Sequence, residues 1–399
     1  MQKNISDTFK ATLLLGTTLT VMAGAIVAPA LPQISKQFSD IPSIDLLSRL
    51  ILTLPALFMA ILAPLAGYFT DKTGRKNVLL VSLILYAIAG TSGLYLNNLF
   101  MILVGRAVLG IAVGGIITAV ITLIGDFFEG EKRSQFMGLQ AAFAGLGGLV
   151  FISLGGFFAD IHWRMPFAIY FFALVIFALA YYAVQEPDIS QNSGKNDHSE
   201  IVFRQNSIPL SIYLIYLMSF FSMIVFYMIP VQMPFMLNAM KGISNTEIGF
   251  AIAFVNLASV TTSLLYKNLK KRMKFSTLMA MVYFIIFLGY WIISIADSYL
   301  MVIPGILVSG FGFGLMMPNI NLWLISLAPP ALRGRLVGYL NFSLFLGMFS
   351  SPILIQPLIG ITGLYNTFFF TAVILLFMSM AFAVFSYRRK LKVFVTGKV

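Results

Sequence analysis

Twelve apolar stretches, each long enough to cross a bilayer, alternate along the chain with short polar loops. A membrane-spanning helix needs about 20 mostly apolar residues. The stretches of the first half cover residues 11–35, 46–70, 77–96, 98–127, 134–160 and 164–185. Those of the second half cover residues 209–238, 246–266, 275–296, 298–327, 335–360 and 364–387. This pattern predicts an all-α membrane protein with 12 transmembrane helices.

A single long hydrophilic segment, residues 186–208, lies between the two sets of six stretches. Polar, Ser- and Asn-containing segments of this length are typical of flexible linkers. We therefore expect an amino-terminal six-helix bundle in residues 1–185, a cytoplasmic linker in residues 186–208 and a carboxy-terminal six-helix bundle in residues 209–399.

The basic residues follow the same alternation. If the amino terminus is cytoplasmic, most of the 26 Lys and Arg residues fall in cytoplasmic segments. Only Lys36, Arg49, Arg164 and Lys241 are then placed on the far side. This asymmetry predicts a multi-pass protein of the inner (plasma) membrane with both termini in the cytoplasm. It also explains the net charge of +12 by topology, so we expect no nucleic-acid partner.

Composition narrows the possible chemistry. Hydrophobic residues make up 59% of the chain and charged residues 10%, which is too few to cover a soluble surface but suits a lipid-facing one. The chain has no cysteine, and its two histidines, His162 and His198, are far apart. We therefore expect no disulfide, no metal site and no cofactor. The expected partners are the lipid bilayer and a small molecule, with the protein acting as a monomer.

The two halves also repeat each other at a fixed offset of 200 residues. The matched pairs are Gly110 and Gly310, Gly114 and Gly314, Arg133 and Arg333, Gly138 and Gly338, and Gly147 and Gly347. The pairs recur without a gap, so duplication explains them better than chance similarity of apolar sequence. Duplicated parallel halves predict two pseudo-symmetric bundles with a substrate site between them near mid-membrane.

The loop after the second stretch reads GYFTDKTGRK, from Gly67 to Lys76. Gly67 allows close helix packing, and Gly74 permits a tight turn. Asp71 carries a charge that a helix amino terminus attracts, and Arg75 can pair with a carboxylate. This segment resembles the signature loop between helices 2 and 3 of the major facilitator superfamily.

The resemblance implies a latch between the halves at this loop. Asp71 would contact the start of helix 11 while the transporter faces outward, and Asp126 would pair with Arg75. The corresponding loop of the second half, residues 266–274, keeps basic residues but lacks the aspartate and the glycines. Proton-driven exporters of the superfamily often carry a Gly-Pro pair in helix 5, where this chain has Phe151 and Ile152.

Arg106 is the only charged residue that the pattern places well inside a span. A charge in that position either faces a cavity or braces the bundle by donating to backbone carbonyls, for example near Pro29. Uncharged polar residues within spans are further candidates for substrate binding or coupling, although each also fits a role in helix packing. They are Gln140, Tyr227, Gln232, Asn256, Asn319, Asn321, Trp323 and Asn341.

None of the 14 acidic residues falls in the middle of a span. Proton-coupled exporters normally need such an acid, so this absence weighs against proton coupling, whereas the resemblance to drug:proton antiporters favours it. We therefore predict a secondary transporter that is a proton-coupled exporter of a small organic molecule. The alternative is an importer or facilitator with the same fold. Neither paired intramembrane acids nor a P-loop is present, so we expect no enzyme activity.

Overall fold

The computed structural model describes residues 6–186, 209–240, 242–329 and 332–396. Within these ranges, 12 helices are long and apolar enough to span a membrane, which confirms the number predicted from hydropathy. The predicted linker lies outside the described residues except for Glu186, and the domain boundaries therefore stay predictions.

The helices of the first half are α1 to α6. Their bounds are Asp7–Ala25, Ile44–Thr73, Arg75–Gly90, Leu99–Phe127, Gly130–Ile161 and Phe172–Ala183. The first span continues beyond α1 through a 3-10 turn, Ala28–Ala30, into a short helix, Leu31–Gln37. Pro29 lies in that turn and lacks the N–H that a continuous α-helix would need.

The helices of the second half are α7 to α12. Their bounds are Leu210–Ala239, Asn245–Arg272, Phe275–Ser294, Tyr299–Leu327, Arg333–Thr362 and Leu364–Thr396. Consecutive helices are antiparallel, so α1 begins and α12 ends at the same side of the bundle. We call that side the terminal face and the opposite side the distal face.

The 200-residue repeat is visible as equivalent packing in the two halves. A side chain at Gly110 would clash with the carbonyl of Pro55, where α4 crosses α2. A side chain at Gly310 would lie 2.8 Å from the carbonyl oxygen of Val255, where α10 crosses α8. Both the glycines and the residues they contact are 200 positions apart, so the two bundles are pseudo-symmetric as the sequence predicts.

Candidate functional site: a central cavity and its two ends

A cavity of about 370 Å³ lies between the halves. Its volume is in the range of small-molecule sites. Seven helices line it: α1, α2, α4 and α5 of the first half, with α4 contributing Ile117, and α7, α8 and α11 of the second half. Among the described residues, none that lines it is charged.

Two side chains supply most of the polar character of this cavity. Tyr227 of α7 faces Gly24 of α1, and Asn256 of α8 faces Gly148 of α5. Within the described part of the chain, neither the Tyr227 hydroxyl nor the Asn256 amide has a hydrogen-bond partner. Both were candidates from sequence, and the structure brings both to the same cavity, where their polar groups are available to a bound molecule.

Arg49 and Gln232 close the distal end of the cavity. The Nε of Arg49 donates to the side-chain oxygen of Gln232 at 2.8 Å, and the guanidinium lies 3.8 Å from the ring centroid of Phe235. Both Arg49 and Gln232 are buried. The charge pattern placed Arg49 on the far side of the membrane, and its side of the membrane stays a prediction. Its side chain is buried because Gln232, Phe235 and the backbone carbonyl of Asp45 take the place of water around the guanidinium.

Asp160, near the end of α5, makes a second bridge at the distal face. One carboxylate oxygen accepts from the backbone N–H of Asn245 at 2.7 Å and from its side-chain amide at 3.0 Å. The other accepts from the backbone N–H of Thr246 at 2.9 Å and from its hydroxyl at 2.5 Å. A carboxylate of the first half therefore caps the amino terminus of α8 in the second half, where the helix dipole favours negative charge.

The backbones of α5 and α8 are in direct contact beside Asp160. A Cβ at Gly249 would lie 3.1 Å from the Cα of Gly156. Such proximity is possible only without side chains. We call the contacts made by Arg49, Gln232, Asp160, Gly156 and Gly249 the distal seam.

The halves pack less closely toward the terminal face. Gly138 lies two helical turns before Gly145 on the α5 stripe that faces α8, and a Cβ there would meet no atom of a described residue within 4 Å. Gly338, its repeat equivalent on α11, is equally open. A smaller cavity of about 140 Å³ shares Thr20 and Ile117 with the central one and is lined by Gln140. The structure is thus closed at the distal face, and its cavity extends toward the terminal face.

Arg106 is completely buried and does not line the cavity. Its Nε donates to the Ile51 carbonyl at 3.1 Å, and its Nη2 donates to the Tyr170 hydroxyl at 2.9 Å. Pro55 lacks the N–H that would otherwise bond the Ile51 carbonyl, so the arginine satisfies a group that the proline leaves open. Tyr170 in turn donates to the Ala23 carbonyl. The geometry fits the bracing role, although the carbonyl belongs to α2 rather than to the Pro29 region.

The α2–α3 loop carries the pair expected from the signature motif. Arg75 Nε lies 3.1 Å from Asp126 Oδ2, so the predicted contact is present. Glu186 also caps α3: its carboxylate accepts from the backbone N–H groups of Arg75 and Lys76 at 2.6 and 2.8 Å. Gly74, with φ of +93°, lets the chain turn against that carboxylate. The surroundings of Gly67 and Asp71 lie outside the described part of the structure, so the latch stays a prediction.

The remaining sequence candidates lie away from the central cavity. Asn319 is buried and donates to the Phe275 carbonyl at 3.1 Å, and the Trp323 ring stacks on Phe275 at 5.9 Å. Both therefore pack α10 against α9. Asn341 is exposed on α11, one turn before Phe345, which lines the cavity.

Sequence reasoning missed Arg49, Asp160 and Glu186 as functional residues, whereas Gln232 was among its candidates. The three missed residues are near helix ends, where loop residues and buried residues have similar composition. A usable signal was the cluster of Ser244, Asn245, Thr246 and Glu247, which forms a capping box in the structure and marks a helix amino terminus that attracts a carboxylate.

Two packed six-helix bundles with a cavity between them and a seam at one end are the architecture of one large class of membrane transporters. The comparison with known families agrees. The family model of the Major Facilitator Superfamily matches residues 13–352 and 241–393, and the chain belongs to this superfamily. It is a transporter rather than an enzyme.

The chain is similar to several curated transporters. It is 30% identical over 157 residues to the class H tetracycline resistance protein of Pasteurella multocida, covering 39% of this chain and 38% of the relative. It is 33% identical over 153 residues to the bacillibactin exporter of Bacillus subtilis, covering 37% of each. It is 27% identical over 142 residues to the quinolone resistance protein NorA of Staphylococcus aureus, covering 35% of this chain and 36% of the relative. The matches thus span well under half the length of these relatives.

Solved structures match over almost the whole chain, at identities that show the fold alone. A D-xylose-proton symporter aligns with a TM-score of 0.75 and 15% identity, covering 93% of this chain and 96% of the other. A bacterial homolog to the human lysosomal transporter Spinster, in an inward-facing and occupied conformation, aligns with a TM-score of 0.75 and 17% identity, covering 95% and 96%.

Proposed function

We propose that the protein exports small, largely apolar organic molecules across the inner membrane by alternating access, with both termini in the cytoplasm. The observation that carries this proposal is the uncharged central cavity with two unpartnered polar groups. An apolar wall with few hydrogen-bonding groups accepts varied apolar molecules and fixes their orientation only loosely. The relatives named for tetracycline resistance, quinolone resistance and bacillibactin export support export as the direction.

The position of Arg106 refines the class of substrate. Had it faced the cavity, an anionic molecule would be the favoured cargo. Because its guanidinium donates to Ile51 and Tyr170 and no described residue that lines the cavity is charged, the described lining offers no fixed charge to an anion or a cation. Neutral molecules with one or two hydrogen-bonding groups therefore fit best.

Export coupled to protons is the expected mode, and an uncoupled facilitator is the alternative. The alternative is favoured by the lack of an acidic residue among the described cavity-lining residues. Vesicles containing the purified protein, loaded with tetracycline or a quinolone, distinguish the two. We expect an imposed pH gradient to drive net movement of at least one probe relative to protein-free vesicles. Identical fluxes with and without the gradient for every probe would favour the facilitator.

Replacing the cavity amide tests which molecules the site binds. We expect Asn256→Leu to weaken binding of a probe with a hydrogen-bonding group by about fivefold, because one hydrogen bond contributes about 1 kcal/mol. Binding of a purely apolar probe should stay unchanged or improve. Fluorescence titration of purified protein measures both. Asn341→Leu, a matched change on a different helix, is the control, and equal effects of the two variants would contradict a role for Asn256.

The latch in the α2–α3 loop is proposed to stabilise the opposite, distal-open state. Asp71→Asn should lower transport in vesicles several-fold at normal expression, because the neutral side chain interacts more weakly with a helix amino terminus. Asp7→Asn, in the first turn of α1 at the same face, is the control. Wild-type flux in Asp71→Asn would remove the latch from the mechanism.

A further inference from the structure

A second cavity, larger than the central one, lies outside the transport path. It has a volume of about 680 Å³, and the described residues that line it belong to the terminal-face halves of α7 and α11 and to Leu332 just before α11. Its residues are Tyr213, Tyr216, Leu217, Phe220, Leu332, Arg335, Leu336, Tyr339, Phe342, Ser343 and Leu346. None of them lines the central cavity. We call this cavity the α7–α11 groove.

The groove faces the bilayer. On α11 it follows the stripe of Tyr339, Phe342 and Leu346, and Ile353 lies two turns further along the same stripe. Ile353 is exposed although its neighbour Pro352 is buried. An exposed stripe on a helix that otherwise packs into the bundle faces lipid. In a membrane, acyl chains therefore cover this groove.

The groove is polar at one end and apolar at the other. Arg335, in the first turn of α11, donates from Nε to the Tyr339 hydroxyl at 3.1 Å. Tyr216 lies beside Tyr339 and Tyr213, with ring centroids 6.4 and 6.5 Å apart, respectively. Deeper in the membrane the lining becomes Leu217, Phe220, Phe342 and Leu346. This order matches a phospholipid, whose headgroup lies at the interface and whose chains extend inward.

Charge indicates which headgroup fits. From residue 209 onward the chain has only two acidic residues, Glu247 and Asp297. Glu247 lies in the first turn of α8, and Asp297 lies just before α10. Both helices begin at the distal face. The terminal face of the second half is therefore basic without acidic residues of its own. A phosphate-bearing headgroup with net negative charge is attracted there, whereas a zwitterionic one gains little.

We propose that the α7–α11 groove is a binding site for one anionic phospholipid, with its headgroup at Arg335 and an acyl chain along Leu217 and Leu346. The site is independent of the transport function proposed above. It places a membrane component against two helices that also line the substrate cavity.

Native mass spectrometry of the purified protein with phosphatidylglycerol or phosphatidylcholine tests the site. We expect wild-type protein to retain phosphatidylglycerol preferentially. Arg335→Gln should weaken its retention about fivefold, since one basic side chain near a headgroup contributes about 1 kcal/mol. Arg333→Gln is the matched control, because Arg333 lies two residues away, outside the groove, and donates to the Ala328 carbonyl. Equal losses in both variants would show diffuse attraction and overturn the site.

A second variant tests the acyl-chain part. Leu346→Trp fills the groove and should reduce retention of both lipids, whereas Arg335→Gln should affect only phosphatidylglycerol. Wild-type retention in a monodisperse Leu346→Trp protein would overturn the proposal. So would full competition by glycerol phosphate, which has the headgroup chemistry but no chain.

Discussion

Replacing Asp160 with Asn should shift the protein toward a state that is open at the distal face. The carboxylate accepts four hydrogen bonds from Asn245 and Thr246 across the two halves, and an amide can accept only at its single oxygen. Charge-assisted hydrogen bonds are about twice as strong as neutral ones, but Asp160 is exposed and water weakens them. We expect about a tenfold change in the equilibrium between the two states, equal to ~1.4 kcal/mol.

The absence of cysteine makes this shift simple to measure. A single reporter cysteine at Asn256, in the cavity, should react faster with a membrane-impermeant maleimide added from the distal side when Asp160 is Asn. Asp40→Asn, an exposed acid at the same face, is the control. An unchanged labelling rate in the Asp160 variant would show that the carboxylate does not stabilise the closed seam.

Replacing Arg106 with Leu should destabilise the first half without changing substrate preference. The substitution leaves the Ile51 carbonyl without its donor in a buried site, because Pro55 supplies no N–H, and removes one partner of Tyr170. A buried polar group left without a partner costs about 1–3 kcal/mol, so the loss of stability should be roughly 2–5 kcal/mol. Thermal unfolding of detergent-purified protein measures it.

Two further variants separate bracing from substrate recognition. Arg106→Lys keeps the charge but cannot reach both acceptors with the same geometry, so its stability should be intermediate. Tyr170→Phe removes only one partner and should cost less than Arg106→Leu. If Arg106→Leu unfolds at the wild-type temperature but loses binding of tetracycline or a quinolone, the bracing role is wrong.

The span count and the repeat could be predicted from sequence because they depend on local properties. Twenty apolar residues are long enough to cross a bilayer whatever they pack against. The glycines of the repeat are needed wherever two helices cross closely, so they recur at Gly110 and Gly310. The Arg75–Asp126 contact was implied by the resemblance of the α2–α3 loop to the signature loop of the superfamily.

The distal seam could not be predicted in the same way. Whether Arg49 meets Gln232 depends on the tilt and register of α2 against α7, and these belong to different halves. Hydropathy indicates which residues are apolar, but it does not indicate which helix each of them contacts. The same limit explains why sequence reasoning took Asn319 for a cavity residue. Its side chain instead donates a hydrogen bond to the start of α9 within its own bundle.

The contact of Gly156 with Gly249 has a consequence for the energetics of the transport cycle. Because the two glycines have no side chains, closing the seam restricts few side-chain rotamers and opening it frees few. The change in conformational entropy between the two states is therefore small. The two conformations can then remain close in free energy, and a modest difference in binding is enough to favour one over the other. A bulkier pair of residues at these positions would strongly favour one conformation, and the protein would stop cycling between the two.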